Sequence, residues 1–343
     1  MALIYPFEGL PAPGHSTEVA PGVFWLRMPL PFALDHINLW LIEDGEGWAV
    51  VDTGIRGRHV KALWEQVFAE RLGGRPVTRV IVTHYHPDHV GQAGWLCAHW
   101  NAPLWMTRTE FLLARTLILD VRDEPPPEAI NFYHRAGYDA AMVETYRLRG
   151  YSGYSKSVTR MPVAFRRMVD GETFAIGGRA WQVVVGRGHA PEHACLWCPD
   201  LGVMISGDQV LPRISSNVSV HPTEPDADPL TEWLDSLSHV RHLVPADTLV
   251  LPAHNEPFRG LHARVTRLLE GHERRLIEVA NFCDQPRTAL EAMRPMFRRT
   301  IDDSERGLAI GETLAHLHCL RTRGVLVRQT NDEGVDTWIR AAA

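Results

Sequence analysis

Residues 80–89 read Val80-Ile81-Val82-Thr83-His84-Tyr85-His86-Pro87-Asp88-His89, an apolar run that ends in four metal-competent side chains within six residues. Val80 to Thr83 is buried-strand material. If the strand continues past Thr83, His84 and His86 share a face, because alternate residues of a strand point the same way. Two imidazoles on one face can grip one ion. Pro87 then turns the chain, so that Asp88 and His89 address a neighbouring position. Four such groups directly behind a buried strand need partners, which argues against mere solvated polarity.

Outward from this cluster, the first half reads as short apolar strands broken by Gly-containing turns. VFWLRM begins at Val23, and INLWLIEDGEGWAVVDTG carries hairpin signals at Asp44-Gly45 and Glu46-Gly47. Apolar residues at 60, 63, 64, 67, 68 and 72 predict a helix over 59–72, ended by Gly73-Gly74. A second helix is expected from about 89 to 99. Residues 107–165 break the rhythm, with two helices expected around Pro125-Pro126-Pro127. Insertions of this length usually cover or bind something. Hairpins turned at Gly177-Gly178 and near Asp200-Leu201-Gly202 follow, then a helix over 228–242 and the strand TLVLPAH. Strands and helices thus alternate in two halves of similar plan, an α/β pattern.

After residue 262 three helices and a hairpin turned at 331–334 give the element order of a winged helix. Residues 263–343 hold 13 Arg against 12 acidic residues, which is no electrostatic footprint for nucleic acid. Packing, dimerisation or forming a pocket wall is the expected use. The expected division is a larger domain carrying the histidine cluster over 1–261 and a C-terminal domain over 262–343.

Composition sets outer bounds. A chain of 343 residues, 45% hydrophobic, can bury a large core, and a formal charge of -6 gives no global reason to expect a polyanionic partner. Of its 35 basic residues only Lys61 and Lys156 are lysines. The start lacks a basic segment followed by a long apolar one, and no run reaches the roughly 18 apolar residues of a span, so neither secretion nor a membrane is expected. Five cysteines (97, 195, 198, 283 and 319) are an odd number that suits reduced thiols in a cytoplasm. Cys195-Leu-Trp-Cys198 has no second CxxC and reads as small core residues of a strand.

His84-x-His86-x-Asp88-His89 resembles the signature of the metallo-β-lactamase superfamily, over about residues 20 to 260. Four further pieces occur in the same order. Val51-Asp52-Thr53-Gly54 resembles the superfamily's aspartate turn, and Gly188-His189-Ala190-Pro191-Glu192-His193 its Gly-His-Thr-Pro-Gly-His loop. Ser206-Gly207-Asp208 resembles its Gly-Asp strand end, and Pro252-Ala253-His254 stands where Pro-Gly-His is found. The resemblance implies a four-layer αββα fold with a helical insertion at about 107–165. The C-terminal domain is expected to be mostly helical and winged-helix-like, as in lactamase-beta-2-like proteins.

The resemblance also implies a ligand set. One metal would take His84, His86 and His189, the other Asp88, His89 and His254, with Asp208 shared. Five imidazoles and two carboxylates suffice for two divalent ions and leave places for water. Such N/O donors suit Zn, Fe or Mn, with Zn taken first. Asp88 is expected to act in catalysis as well, orienting the attacking water or passing on its proton, and Asp52 to fix the histidines' orientation. His193 competes with His189 as a ligand, and the resemblance favours His189. Ordinary roles suffice for the other histidines, such as His15, His59, His99, His134, His239, His272 and His316.

Hydrolysis is the implied activity. True β-lactamases of the superfamily tend to have Cys or Ser near the position of Asp208, whereas the ligand set here is similar to that of glyoxalase II-like enzymes. The expected reaction is attack by a metal-bridged hydroxide on a thioester or related ester. The alternative is an endoribonuclease or phosphodiesterase whose C-terminal domain guides RNA, with lactonase and β-lactamase lower. A non-catalytic binding protein would have a damaged ligand set, and none of the seven positions is damaged. Tyr151, Tyr154 and Lys156, in YSGYSKS, are candidate substrate contacts. The loop MPLPFALDH, with Leu30, Phe32 and Leu34, is expected either to overhang the metals or to pack at an edge. An apolar cover with sparse positive charge favours a small acyl substrate. Homo-oligomerisation is left open.

Overall fold

The computed structural model describes residues 3–303 and 305–342. Seven strands pair in chain order in one sheet: β1 (Ser16–Ala20), β2 (Val23–Pro29), β3 (His36–Asp44), β4 (Gly47–Val51), β5 (Val77–Ile81), β6 (Leu104–Met106) and β7 (Arg166–Arg167). β1 to β4 are antiparallel, and β4 to β7 are parallel. A five-stranded sheet has the order β12-β11-β10-β9-β8. It consists of β8 (Thr173–Ile176), β9 (Arg179–Gly186), β10 (His193–Cys198), β11 (Val203–Gly207) and β12 (Leu249–Pro252). Only its β11/β12 pair is parallel.

Period-two alternation sorts the residues of the larger sheet into two cores. Trp40, Ile42, Ala49, Val51 and Ile81 face the second sheet and pack with Trp181, Val183, Ala194, Leu196, Val203 and Ile205. Residues of the opposite parity, Leu39, Leu41, Val50, Val80 and Val82, pack with Val60, Leu63, Trp64 and Val67 of α1 (Arg58–Glu70). On the second sheet Val184, Cys195, Met204 and Val250, also of opposite parity, are fully buried. The result is the four-layer αββα architecture. Cys195 and Cys198 are core residues of β10, and all five cysteines are buried and unpaired.

The single helix expected over 89–99 is two, α2 (Pro87–Val90) and α3 (Ala93–Trp100). The backbone leaves the helical region at Gln92 (φ -100°, ψ 3°), beside Gly91, where a Cβ would come within 2.5 Å of the Gly54 carbonyl and the Arg56 nitrogen. The 107–165 insertion holds four helices, not two: α4 (Arg108–Leu119), α5 (Pro127–Arg135), α6 (Ala140–Leu148) and α7 (Gly153–Ser157). The extra start at α6 comes from Asp139, whose side chain accepts the Met142 N–H as an N-cap. The remaining helices are α8 (Pro229–Leu243), α9 (Leu261–Phe282), α10 (Ala289–Met296) and α11 (Arg306–Thr322). Among the described residues no helix is long and apolar enough to cross a membrane.

Two compact units emerge. The first (Met1–Val121, Ser152–Ser216, Ser238–Val265) contains both large sheets. The second (Arg122–Tyr151, Asn217–Leu237, Thr266–Ala343) joins α5 and α6 of the insertion to the C-terminal helices and to a three-stranded sheet. That sheet has β15 (Asp336–Arg340) between β13 (Arg287–Thr288) and β14 (Leu326–Thr330). The Leu290 N–H donates to the Ala136 carbonyl at 3.0 Å, and Arg135 pairs with Asp336 at 2.9 Å. Inside this unit His272 Nδ1 and His316 Nε2 lie 3.2 Å apart, both rings buried.

Candidate metal centre

Every predicted ligand sits just beyond the C-terminal end of a strand. β5 leads to His84, His86, Asp88 and His89; β9 leads to His189; β11 leads to Asp208; β12 leads to His254. Strand carboxyl ends are where open α/β sheets place ligands, since the loops there converge without disturbing the ladders. The loops are tied to each other by backbone bonds. Ala194 N–H donates to the Thr83 carbonyl at 2.8 Å, and Ala253 N–H to the Gly207 carbonyl at 3.0 Å.

All seven side chains meet, in two groups. In the first, the donor atoms of His84, His86, His189 and Asp208 lie within 4.8 Å of one another; in the second, those of Asp88, His89 and His254 do. His84 Nε2 is 2.9 Å from His86 Nδ1 and 3.2 Å from His189 Nε2. Asp208 reaches both groups: Oδ2 is 3.3 Å from His189 Nε2 and 3.4 Å from His89 Nε2, while Oδ1 is 3.3 Å from His254 Nε2. Asp88 Oδ2 lies 3.7 Å from His89 Nε2 and 3.5 Å from His254 Nε2.

Several groups hold these side chains from behind. Asp52, at the end of β4 with φ +60°, accepts His89 Nδ1–H at 2.8 Å and the Thr83 N–H at 2.8 Å. That bond leaves the lone pair of His89 on Nε2, the atom facing Asp88 and Asp208. His254 Nδ1–H donates to the His36 carbonyl at 2.8 Å, which likewise frees its Nε2. His193, the competitor for His189, instead accepts the Asp208 N–H on Nε2 at 3.1 Å. Gly207 (φ +49°) makes this approach possible, because a Cβ there would lie 2.4 Å from His193 Nε2. Glu110, in the first turn of α4, is fully buried; its carboxylate accepts the N–H of Tyr85 at 2.9 Å and of Glu192 at 2.6 Å.

Electrostatics distinguish the members. Burial, with the neighbouring His89 and His86 rings, pushes His84 well below the usual imidazole range. Burial acts the same way on His89, but the Asp52, Asp88 and Asp208 carboxylates outweigh it and push His89 well above that range. Burial alone would raise Asp208, yet the His254 and His89 rings hold it well below the ordinary carboxylate range. His89 Nε2 and Asp208 Oδ1 are buried and make no hydrogen bond. Buried polar atoms of this kind need a partner. With imidazole nitrogens converging beside them, the donor set fits divalent cations.

Residues 33–254 match the Metallo-beta-lactamase superfamily, and residues 276–341 match the Metallo-beta-lactamase-like, C-terminal domain. The chain belongs to the metallo-beta-lactamase superfamily. It is similar to a beta-lactamase domain protein from Burkholderia ambifaria of known crystal structure, with 46% identity, 99% of this chain and 98% of that one covered, and a TM-score of 0.91. It is 26% identical to the "Probable metallo-hydrolase YqjP" of Bacillus subtilis, over 87% of this chain and 92% of that one. An "Atrochrysone carboxyl ACP thioesterase" of Aspergillus fumigatus is 23% identical over 75% of this chain and 46% of its own length. As a metallo-beta-lactamase superfamily hydrolase, the protein carries its candidate metal-binding His/Asp cluster on the matched segment.

The candidate substrate residues separate. Tyr154 donates its hydroxyl to the Tyr85 carbonyl, within the histidine loop. Lys156 lines a cleft beside α1. Tyr151 belongs to the second unit and pairs with the backbone of Arg122. In the 28–36 loop, Leu30 enters the core under the larger sheet, whereas Phe32 is 57% exposed. Glu110 and His36 had no sequence signal. Glu110 sits in a helix whose spacing reads as ordinary, and His36 closes a loop that reads as a hairpin end.

Proposed function

We propose that this chain is a dinuclear metal-dependent hydrolase of a thioester or related ester. The observation that carries the reading is the pair of ligand groups joined by one carboxylate, Asp208, with seven intact donors. His84, His86 and His189 would hold one ion, Asp88, His89 and His254 the other, and Asp208 both. Zn, Fe and Mn all suit these donors, and Zn is our assignment. When bound, the ions supply an activated water and a Lewis acid for the carbonyl. Asp88, partly exposed beside His254, is placed to accept the water's proton and return it to the leaving thiol. Asp52 keeps His89 in the tautomer that presents Nε2. The thioesterase relative, and an Asp rather than Cys or Ser at position 208, favour acyl transfer to water over β-lactam opening.

We also read the C-terminal unit as winged-helix-like, supported by its helix, helix, helix and hairpin order, and as a packing element. Five unpaired thiols support a reducing, cytoplasmic setting. The test is metal analysis of the purified protein, followed by assays of acyl thioesters, lactones, phosphodiesters and RNA before and after chelation. Two ions per chain and chelator-sensitive thioester hydrolysis, lost in Asp208→Ala, are expected. One ion in a fully active preparation, or phosphodiester cleavage alone, overturns the reading.

A further inference from the structure

Both lysines of the chain line one cleft of about 530 Å³ in the first unit, together with Arg56 and Arg58. None of the residues lining it is acidic, although the chain as a whole has 41 acidic residues against 35 basic ones. Lys61 has Glu65 at 3.8 Å, an exposed pair of little worth. The cleft is built rather than incidental. Arg56 donates through its guanidinium to the Ser155 carbonyl at 3.1 Å, which fixes it beside Lys156. Gln92, buried, donates to the Gly57 carbonyl at 3.1 Å and pins the start of α1. Trp95 offers a flat apolar wall with the Lys61 ammonium 5.2 Å from its ring centre.

The same residues connect to the metal loop. Thr53 donates its hydroxyl to the His89 carbonyl at 2.6 Å and accepts the Gln92 N–H at 3.1 Å. The short helix α7 carries Tyr154, bonded to the Tyr85 carbonyl, and two residues later Lys156 at the cleft. A ligand seated on these cations would therefore lie beside the loop that carries Asp88 and His89.

We propose that this cleft binds the diphosphate of a nucleotide-type thiol carrier, the leaving-group half of an acyl thioester. The inference rests on the thioester reading for its choice of carrier. Four cations, of which only Lys61 has a carboxylate within reach among the described residues (the exposed Glu65), match a group bearing several negative charges better than a lone carboxylate. Trp95 holds the Lys61 ammonium over its ring and so keeps that charge at the cleft.

The experiment is calorimetric titration of the metal-loaded full chain with S-methyl-coenzyme A, whose sulfur is blocked, and with S-methyl-pantetheine, which lacks phosphate. In Lys61→Ala/Lys156→Ala, affinity for the first should fall about tenfold or more, with the melting temperature kept. Binding of the first should also weaken with salt, and the second should bind more weakly than the first to wild type. Equal affinity for the two probes, or no effect of the double substitution, overturns the proposal. Tighter binding of an RNA oligonucleotide, weakened by the same substitutions, overturns it in favour of RNA. Absence of any thioester turnover by wild type, with the probe still bound through the lysines, removes the thioester reading and leaves the cleft standing.

Discussion

Glu110 Oε2 accepts a hydrogen bond from the backbone nitrogen of Tyr85 at 2.9 Å, and the same carboxylate's Oε1 accepts that of Glu192 at 2.6 Å. One buried side chain thereby ties the His84–His86 segment to the loop of His189. Burial pushes Glu110 up to about 7, against the pull of the two N–H donors. Glu110→Ala would leave the buried Tyr85 N–H unsatisfied, at roughly 1–3 kcal/mol, and the half-buried Glu192 N–H without its partner at a smaller cost. We expect metal affinity to fall by about 10–100-fold. Competition against a fluorescent chelator measures it, and wild-type affinity in the variant would refute the tie.

Asp52→Asn should act on one ion more than the other. The asparagine amide would donate to His89 Nδ1 in place of accepting from it, moving the ring proton to Nε2, where it blocks coordination. His84 reaches Asp52 only through the Thr83 hydroxyl, 3.0 Å from its Nδ1, and so depends on it less directly. Mass spectrometry under native conditions should show about one ion lost per chain, with turnover falling accordingly. Two retained ions would contradict the assignment of His89.

Gly207→Ala places a Cβ 2.4 Å from His193 Nε2 at a φ of +49°. The left-handed backbone costs about 1 kcal/mol for a side chain, and the overlap adds about 1–3 kcal/mol. A lowered melting temperature and weaker metal binding are expected together, since Asp208 is the next residue. An unchanged melting temperature would show that the turn relaxes freely.

The buried His272–His316 pair gives the second unit a pH dependence. His316 Nδ1–H donates to the Glu312 carbonyl at 2.8 Å, so its Nε2 accepts from His272 Nδ1–H. Burial lowers both: His272 to about 2, aided by His316 and Arg275, and His316 to about 4. Unfolded imidazoles titrate near 6.5, so below that pH the unfolded chain takes up protons that the folded one does not. Stability should be full above about pH 6.5 and fall as pH drops towards 4, by up to ~1.4 kcal/mol per pH unit for each ring. Charged neighbours are Arg275 and Glu312, themselves 3.4 Å apart. Urea titrations at pH 7.5, 6 and 5 should show a shallower fall in His272→Phe than in wild type. Parallel falls would rule the pair out as the cause.

What could be read from the sequence followed from locality. The His84–His89 run is contiguous, so six residues state the ligand types and their faces together. The two cores follow from strand parity at positions such as Trp40 and Leu41. Half of the insertion's helices escape a reading of the sequence, although the Asp139 cap that starts α6 is itself local, three residues from Met142. The sequence left His193 open beside His189, and the decision comes from the Asp208 N–H, 15 residues away. Glu110, His36 and the cationic cleft depend on segments far apart in the chain, and no local pattern marks them.

Lysine scarcity has a practical side. Lys61 and Lys156 are the only side-chain amines in 343 residues, and they face one cleft. Beyond the α-amino group, an amine-reactive label therefore reports on that cleft, and a short bifunctional ester that joins the two lysines would staple α1 to α7. A lysine-specific protease has only these two bonds to cut, so a tightly held ligand can be followed as protection of the chain on a gel.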